Sequence, residues 1–314
     1  MNVITDLSTI EQPFTRPVVT IGNFDGVHKG HQAIFHQVIE KAESIKGTSV
    51  AMTFEPHPMR VLKKKKSPPL ITLYEQKKEL IAKTGIDVFI CIPFDKDFAA
   101  ITARRFIEDI LVKTIGLSAI VIGNDYSFGK DRKGNVAFLR QHADRFGYEV
   151  IVADWIPGSL KTADRISSTR IRETVMAGKV DEVAQLLGRY YQIRGKVVSG
   201  RNRGGRLLGF PTANINLIDE LCPKAGVYAV TVECQDKKYQ GVANIGYSPT
   251  FDDHIFTVEV HLLDFSGDLY DQDIRVNFIQ RIRNEKKFGG LDELSAQITK
   301  DIQTARDILS GNPS

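Results

Sequence analysis

Cysteine is scarce: the 314 residues hold three, Cys91, Cys222 and Cys234, with no close spacing between any two. That excludes a disulfide framework and a thiolate metal site, and it fits a reducing, cytoplasmic setting. Long uncharged apolar runs are missing as well, so no stretch reads as a membrane span. Residues 1–17 carry Asp6 and Glu11 and lack a basic segment followed by an apolar one, which argues against a signal peptide. Charge of one sign is not in excess: 42 Lys and Arg against 38 Asp and Glu leave +4, too little to argue for a nucleic-acid partner. The basic run Lys63-Lys64-Lys65-Lys66 is followed by Ser67-Pro68-Pro69 and reads as a solvated loop. No internal repeat or low-complexity tract is visible. What remains, 42% hydrophobic and 25% charged, is ordinary globular composition with apolar mass enough for two cores.

Two patterns divide the chain. Up to about residue 155, short β-branched runs alternate with helical periodicity: a strand at 18–21, then Ala33, Ile34, Val38, Ala42 and Ile45 at helical spacing. Further strands are expected at 49–54, 88–92, 119–122 and 148–152, each separated by enough chain for a crossover helix. This predicts an α/β domain with a Rossmann-like parallel sheet, whose ligands sit beyond the carboxyl ends of the strands. From Tyr191 onward, alternating strands and polar turns predict an antiparallel β-barrel, and Leu294, Ile298, Ile302, Ala305 and Ile308 predict an amphipathic C-terminal helix. The boundary falls near Gly188, giving domains 1–187 and 188–314.

The first expected strand runs into Gly22-Asn23-Phe24-Asp25-Gly26-Val27-His28-Lys29-Gly30-His31, a glycine-bearing turn that opens a helix. Backbone N–H groups and the helix dipole there favour phosphate, the two imidazoles add directional donors, and Gly30 lets a phosphate approach the backbone. Nucleotidyl transfer needs this kind of charge stabilisation more than it needs a nucleophile. A zinc pair is the weaker reading, since no third ligand follows at a recognisable spacing. A second element, Ile166-Ser167-Ser168-Thr169-Arg170-Ile171-Arg172, also opens a helix. Capping explains its hydroxyls but not its arginines, because cations in a first turn oppose the dipole unless an anion offsets them.

Downstream, Gly204-Gly205-Arg206-Leu207-Leu208-Gly209-Phe210-Pro211-Thr212-Ala213-Asn214 packs glycines around a strand boundary. Thr212 and Asn214, two apart on extended backbone, share a face and can present oxygens to one Mg²⁺ bridging ATP phosphates. Alternation in the run 256–262 puts Glu259 on the polar face, where a carboxylate can accept a hydroxyl proton.

These segments resemble, in order, the HxGH and ISSTxxR signatures and the PTAN motif of the bacterial bifunctional riboflavin kinase/FMN adenylyltransferase family. The resemblance runs from about Phe14 to Ile308. It implies that His28 and His31 are catalytic in adenylyl transfer, with Gly22, Phe24, Asp25, Gly30, Asn124, Ser167, Ser168, Thr169 and Arg172 lining that ATP site. Phe54-Glu55-Pro56-His57-Pro58 and Gly123-Asn124-Asp125-Tyr126-Ser127-Phe128-Gly129 look like the FMN side, through Phe54, Pro56, His57, Pro58, Asp125 and Phe128. Aromatic and proline walls suit a flat isoalloxazine ring, although either phenylalanine also reads as core packing. In the barrel, the resemblance implies that Gly205, Arg206, Gly209, Pro211, Thr212 and Asn214 take ATP, that Thr212 and Asn214 hold the metal, and that Glu259 activates the ribityl hydroxyl. Arg283, Glu285 and Phe288, in the segment 281–288, resemble the riboflavin-side arm and read equally well as a charged turn. The expected activity is ATP-dependent phosphorylation of riboflavin followed by adenylylation of FMN, with Mg²⁺ as cofactor and flavins as substrate and product. The expected partners are small molecules, not nucleic acid or membrane; transient self-association stays open. A one-site enzyme and a non-catalytic flavin or nucleotide sensor are the alternatives.

Overall fold

The structure is a computed structural model that describes residues 1–63, 67–154, 157–159, 162–198, 210, 212–217, 219–247 and 256–311. Lys64, Lys65, Lys66, Gly205, Arg206, Gly209 and Pro211 lie outside the described residues. By packing, the chain forms two compact units, Met1–Ser168 and Thr169–Ser314.

The first unit is built on a six-stranded, wholly parallel sheet of β1 (Asn2–Ile4), β2 (Val18–Ile21), β3 (Ser49–Glu55), β4 (Val88–Pro93), β5 (Ala119–Gly123) and, after the short pair β6 (Ser127–Phe128) and β7 (Gly134–Asn135), β8 (Glu149–Ala153). All four residues of β2 are buried, as expected of a central parallel strand covered on both faces. Alternation divides the core in two. Val19, Val50 and Ile120 join one apolar cluster, while Val18, Ala51 and Ala119 join another across the sheet. Against the second cluster lies α1 (Lys29–Ser44), whose Phe35, Val38 and Ala42 recur at three- and four-residue spacing. The helices α2 (Pro58–Lys63), α3 (Tyr74–Ala82), α4 (Lys96–Ala99), α5 (Ala103–Arg105), which runs on into π-type turns over Phe106–Ile115, and α6 (Val136–Phe146) supply the remaining crossovers. The strand order is β1-β4-β3-β2-β5-β8. Chain direction across the sheet therefore reverses between β2 and β5, which makes the ends of those strands the topological switch point.

A hairpin of β9 (Pro157–Ser159) and β10 (Thr162–Arg165) leads to α7 (Ser168–Met176) and α8 (Val180–Leu187). The second unit is a closed antiparallel barrel in the order β11 (Tyr191–Val198), β12 (Ala213–Asn216), β15 (Phe256–Leu262), β14 (Lys237–Tyr247), β13 (Gly226–Cys234), β16 (Asp273–Arg283). Tyr191, Tyr228, Val230, Val260 and Phe278 fill it at under 2% exposure, with the Tyr228 and Phe278 rings edge-to-face at 5.3 Å. The C-terminal helix α9 (Leu291–Ser310) closes on it through Ala305 and Leu309, which pack against Ala229 and Ile279. The contact boundary lies ahead of residue 188 because α8 packs on β16 and β11. Among the described residues no helix is long and apolar enough to cross a membrane.

Candidate active sites

In the first unit the expected phosphate-binding turn follows β2. It is strained and held by packing: Phe24 and Val27 take left-handed backbone (φ 46 and 40) while their side chains sit in the core at 3% and 1% exposure. The Phe24 ring meets Phe35 and His31 edge-on at 4.8 and 5.4 Å. His28 is the N-cap of α1, its Nδ1 accepting from the His31 N–H at 3.3 Å. The two imidazoles stack at 3.6 Å between centroids. Gly30 has to be small, since a Cβ there would sit 3.1 Å from the His28 ring. At Gly22 the nearest atom of the Phe24 ring would be 2.8 Å away.

Asp25 is buried, and its carboxylate accepts the N–H groups of Ile71 (3.0 Å) and Thr72 (3.1 Å). Thr72 Oγ1 in turn accepts from the N–H of Gly26, at φ +89, 3.0 Å away. Asp25 therefore fixes the turn against residues 71–72. That network went unforeseen, because nothing in the local sequence of Leu70-Ile71-Thr72 marks it. Ser168 Oγ donates to the Asp25 carbonyl at 2.8 Å, bringing Ser168 onto the turn of the first signature. Ser167 precedes it, and Thr169 and Arg172 follow in the first turns of α7.

The segments expected on the flavin side also leave the carboxyl ends of strands, β3 and β5, which flank β2. Glu55-Pro56 is a cis peptide, Pro58 opens α2, and the buried His57 accepts the Met59 N–H at Nδ1 (3.2 Å). Phe54 lies against Phe94 and Phe98 at 5.6 and 5.7 Å, half-buried on the core. Phe128 belongs to the core, with Phe106 and Tyr126 both at 5.5 Å and Gly134 leaving room for its ring. Core packing thus accounts for Phe128 and in part for Phe54. Asn124 is exposed, and Asp125 pairs with Arg165 at 2.6 Å.

In the barrel, strand register unites three motifs that are far apart in sequence. Asn214 on β12 lies directly opposite Glu259 on β15, and Glu259 lies directly opposite Asn244 on β14. All three are half-buried, between interior rows that hold Ala213, Val260 and Ala243 on one side and Ile215, Val258 and Ile245 on the other. The register, not the local sequence, gives Asn244 its place. Phe210, just ahead of Thr212, packs edge-on against His261 at 5.8 Å, tying that motif to the strand of Glu259.

The arm that follows β16 comes to the same strands. Glu285 covers Gly246, where a Cβ would lie 2.6 Å from its Oε1. Arg283 is committed within the chain: it donates to both oxygens of the buried Asp301 on α9 (Nε at 3.0 Å to each, one terminal nitrogen at 2.7 Å) and lies 5.7 Å from the Phe288 ring. Lys286 and the Gly289 N–H bind Glu293 of the same helix at 2.8 and 2.9 Å. Arg283 and Phe288 thus shape the arm.

Burial raises the thiols of Cys91 to about 11 and Cys222 to about 12. All three cysteines are buried and free, and no group of three His, Cys, Asp or Glu that could hold a metal occurs among the described residues. An oxygen site for a hard cation needs no such group: Thr212, Asn214, Asn244 and Glu259 offer hydroxyl, amide and carboxylate oxygens, which suit Mg²⁺.

The FAD synthetase family model matches residues 11–170 and the riboflavin kinase model residues 187–309. The chain is 38% identical over 312 residues to the bifunctional riboflavin kinase/FMN adenylyltransferase of Escherichia coli (strain K12), covering 98% of each chain. It is 39% identical over 307 residues to the protein of that name from Haemophilus influenzae, again covering 98% of each. Among solved structures, one described as a macrolide-efflux protein from Streptococcus pneumoniae superposes with a TM-score of 0.85 at 34% identity, over 97% of this chain and 98% of that one. With both family models matched in order along one chain, and with relatives of this identity over nearly its whole length, the chain belongs to the bifunctional riboflavin kinase/FMN adenylyltransferase family.

Proposed function

We propose that the chain makes FAD from riboflavin in two ATP-dependent steps on separate sites, within functional domains 1–187 and 188–314. In the barrel, the γ-phosphoryl of ATP passes to the ribityl 5′-hydroxyl, giving FMN and ADP. Glu259 accepts the hydroxyl proton, Asn214 and Asn244 flank it, and the arm carrying Glu285 and Phe288 bounds the riboflavin side. Thr212 and Asn214 would hold Mg²⁺, which when bound neutralises phosphate charge. In the parallel-sheet domain, the FMN phosphate attacks the α-phosphorus of ATP, giving FAD and pyrophosphate. His28, His31, the α1 N-terminus and the Ser168 to Arg172 turn stabilise charge on the α-phosphate and the leaving pyrophosphate. Asp25 holds that turn in shape, while Gly22, Gly30 and Asn124 border the nucleotide.

The observation that carries this reading is the presence of two polar constellations on different supports: stacked imidazoles capping α1 at the switch point, and the Asn214–Glu259–Asn244 row across three barrel strands. Buried, unpaired cysteines support a cytoplasmic setting. Asn214→Ala is expected to abolish FMN formation while leaving FMN-to-FAD conversion, and His31→Ala to do the reverse. Loss of both activities in either folded variant would contradict separate sites.

A further inference from the structure

FMN differs from riboflavin by a phosphate that carries close to two negative charges at neutral pH, and a site that binds FMN has to offset that charge with backbone N–H groups or with a cation. On the flavin side of the parallel-sheet domain, the residues implied by resemblance include a carboxylate, Asp125, and no arginine or lysine. Asp125 is already matched by Arg165 at 2.6 Å, which cancels its repulsion and uses that guanidinium.

One more guanidinium reaches this loop. Arg132 donates from Nε to Ser127 Oγ at 2.7 Å, next to Phe128 and two residues from Asp125. Among the described residues no carboxylate pairs with Arg132. Its placement is held against conformational cost: Asp131 and Arg132 are consecutive non-glycine residues in left-handed backbone, at φ 55 and 57, a region that disfavours ordinary side chains by roughly 1–2 kcal/mol each. The loop is anchored at both ends. Lys130 N–H binds the Ile101 carbonyl at 2.7 Å, and β6 pairs with β7 on the far side, Ser127 opposite Asn135. The terminal nitrogens of a guanidinium fixed through Nε form a ready fork for a phosphate, which the neighbouring exposed Lys130 and Lys133 lack.

We propose that Arg132, held by Ser127, is the residue that takes the phosphate of FMN in the adenylyl-transfer domain and so lets that domain select FMN. This rests on the reading of residues 123–129 as the flavin side. The test is steady-state FMN adenylylation by the full-length protein carrying Arg132→Ala or Arg132→Lys, with Asp125→Asn, at an exposed residue of the same loop, run in parallel. The proposal expects Arg132→Ala to raise KM for FMN at least tenfold while KM for ATP and riboflavin phosphorylation stay within about twofold, since a charge-assisted bond to phosphate is worth a factor of that order. Arg132→Lys should recover part of the loss. An unchanged melting profile establishes that the parallel-sheet unit of each variant is folded. If Asp125→Asn changes KM for FMN and Arg132→Ala does not, the loop is the flavin side but Arg132 is not its phosphate contact. If neither variant moves KM for FMN, the flavin-side reading falls and the proposal with it. Equal rises in the KM values of FMN and ATP would also overturn it, by making Arg132 a general support of the loop.

Discussion

Replacing Asp301 by alanine should unfasten the arm that follows β16 from the C-terminal helix. The Asp301 side chain is 5% exposed and that of Arg283 is 22%. The carboxylate accepts three bonds from the guanidinium, at 3.0, 3.0 and 2.7 Å, and a fourth from Gln297 at 2.9 Å. Removing one partner of a fully buried ion pair costs about 3–5 kcal/mol, because the other charge is left without compensation. Arg283 keeps some contact with water and a 2.9 Å bond to the Asn284 carbonyl, so a loss of about 2–3 kcal/mol is expected after discounting for solvent. For a unit of this size that lowers the melting temperature by roughly 5–10 °C. Scanning calorimetry should place the shift in the transition of the barrel unit and leave any separate transition of the parallel-sheet unit in place. Pairing Arg283→Ala with Asp301→Ala should cost clearly less than the two single changes added together, since the second deletion removes the stranded charge. A loss below about 0.5 kcal/mol, or strict additivity, would refute the reasoning. In activity, Asp301→Ala should raise KM for riboflavin and leave FMN adenylylation unchanged.

Gly129→Ala should destabilise the parallel-sheet unit by at least about 2 kcal/mol, because its φ is +70 and the new Cβ would meet the Ala103 backbone nitrogen at 2.5 Å; urea unfolding measures this. Asp25→Ala, by freeing the Ile71 and Thr72 N–H groups, should lower FMN adenylylation at least tenfold and spare riboflavin phosphorylation, read by separate assays of the two steps. Cys91 and Cys222 should resist iodoacetamide at pH 8 in the folded protein and react once it is unfolded, scored by mass spectrometry. With folded values of about 11 and 12, above the unfolded thiol range, their contribution to stability is fully present below about pH 8.5 and is lost as pH rises towards those values.

Periodicity alone carried the parallel sheet, the barrel and the last helix, because buried strands such as β2 and β3 and the apolar stripe of α9 are strong signals. The edge strand β1 was missed: three residues, Asn2 and Val3 exposed and Ile4 half-buried, show no alternation, and β1 exists only because β4 offers an edge to pair with. The motifs pointed to a candidate site in each unit, since glycine and capping chemistry are local. What stayed hidden is long-range: the Thr72 and Ile71 contacts that hold Asp25, the opposition of Asn244 to Glu259, and the use of Arg283 by Asp301 eighteen residues on. Each depends on which backbones become neighbours. The aromatic residues expected on the flavin side were legible only as alternatives, because a flat ring serves a core and a flavin equally well, and Phe128 is in the core.

The central claim is that one chain carries both reactions at separate sites. Its most direct test is incubation of the purified protein with riboflavin, ATP and Mg²⁺, with the flavins separated by chromatography over time. FMN should appear first and FAD follow at its expense. Unchanged riboflavin, together with no conversion of added FMN, would contradict the account and leave a protein that binds flavin or nucleotide without turning it over.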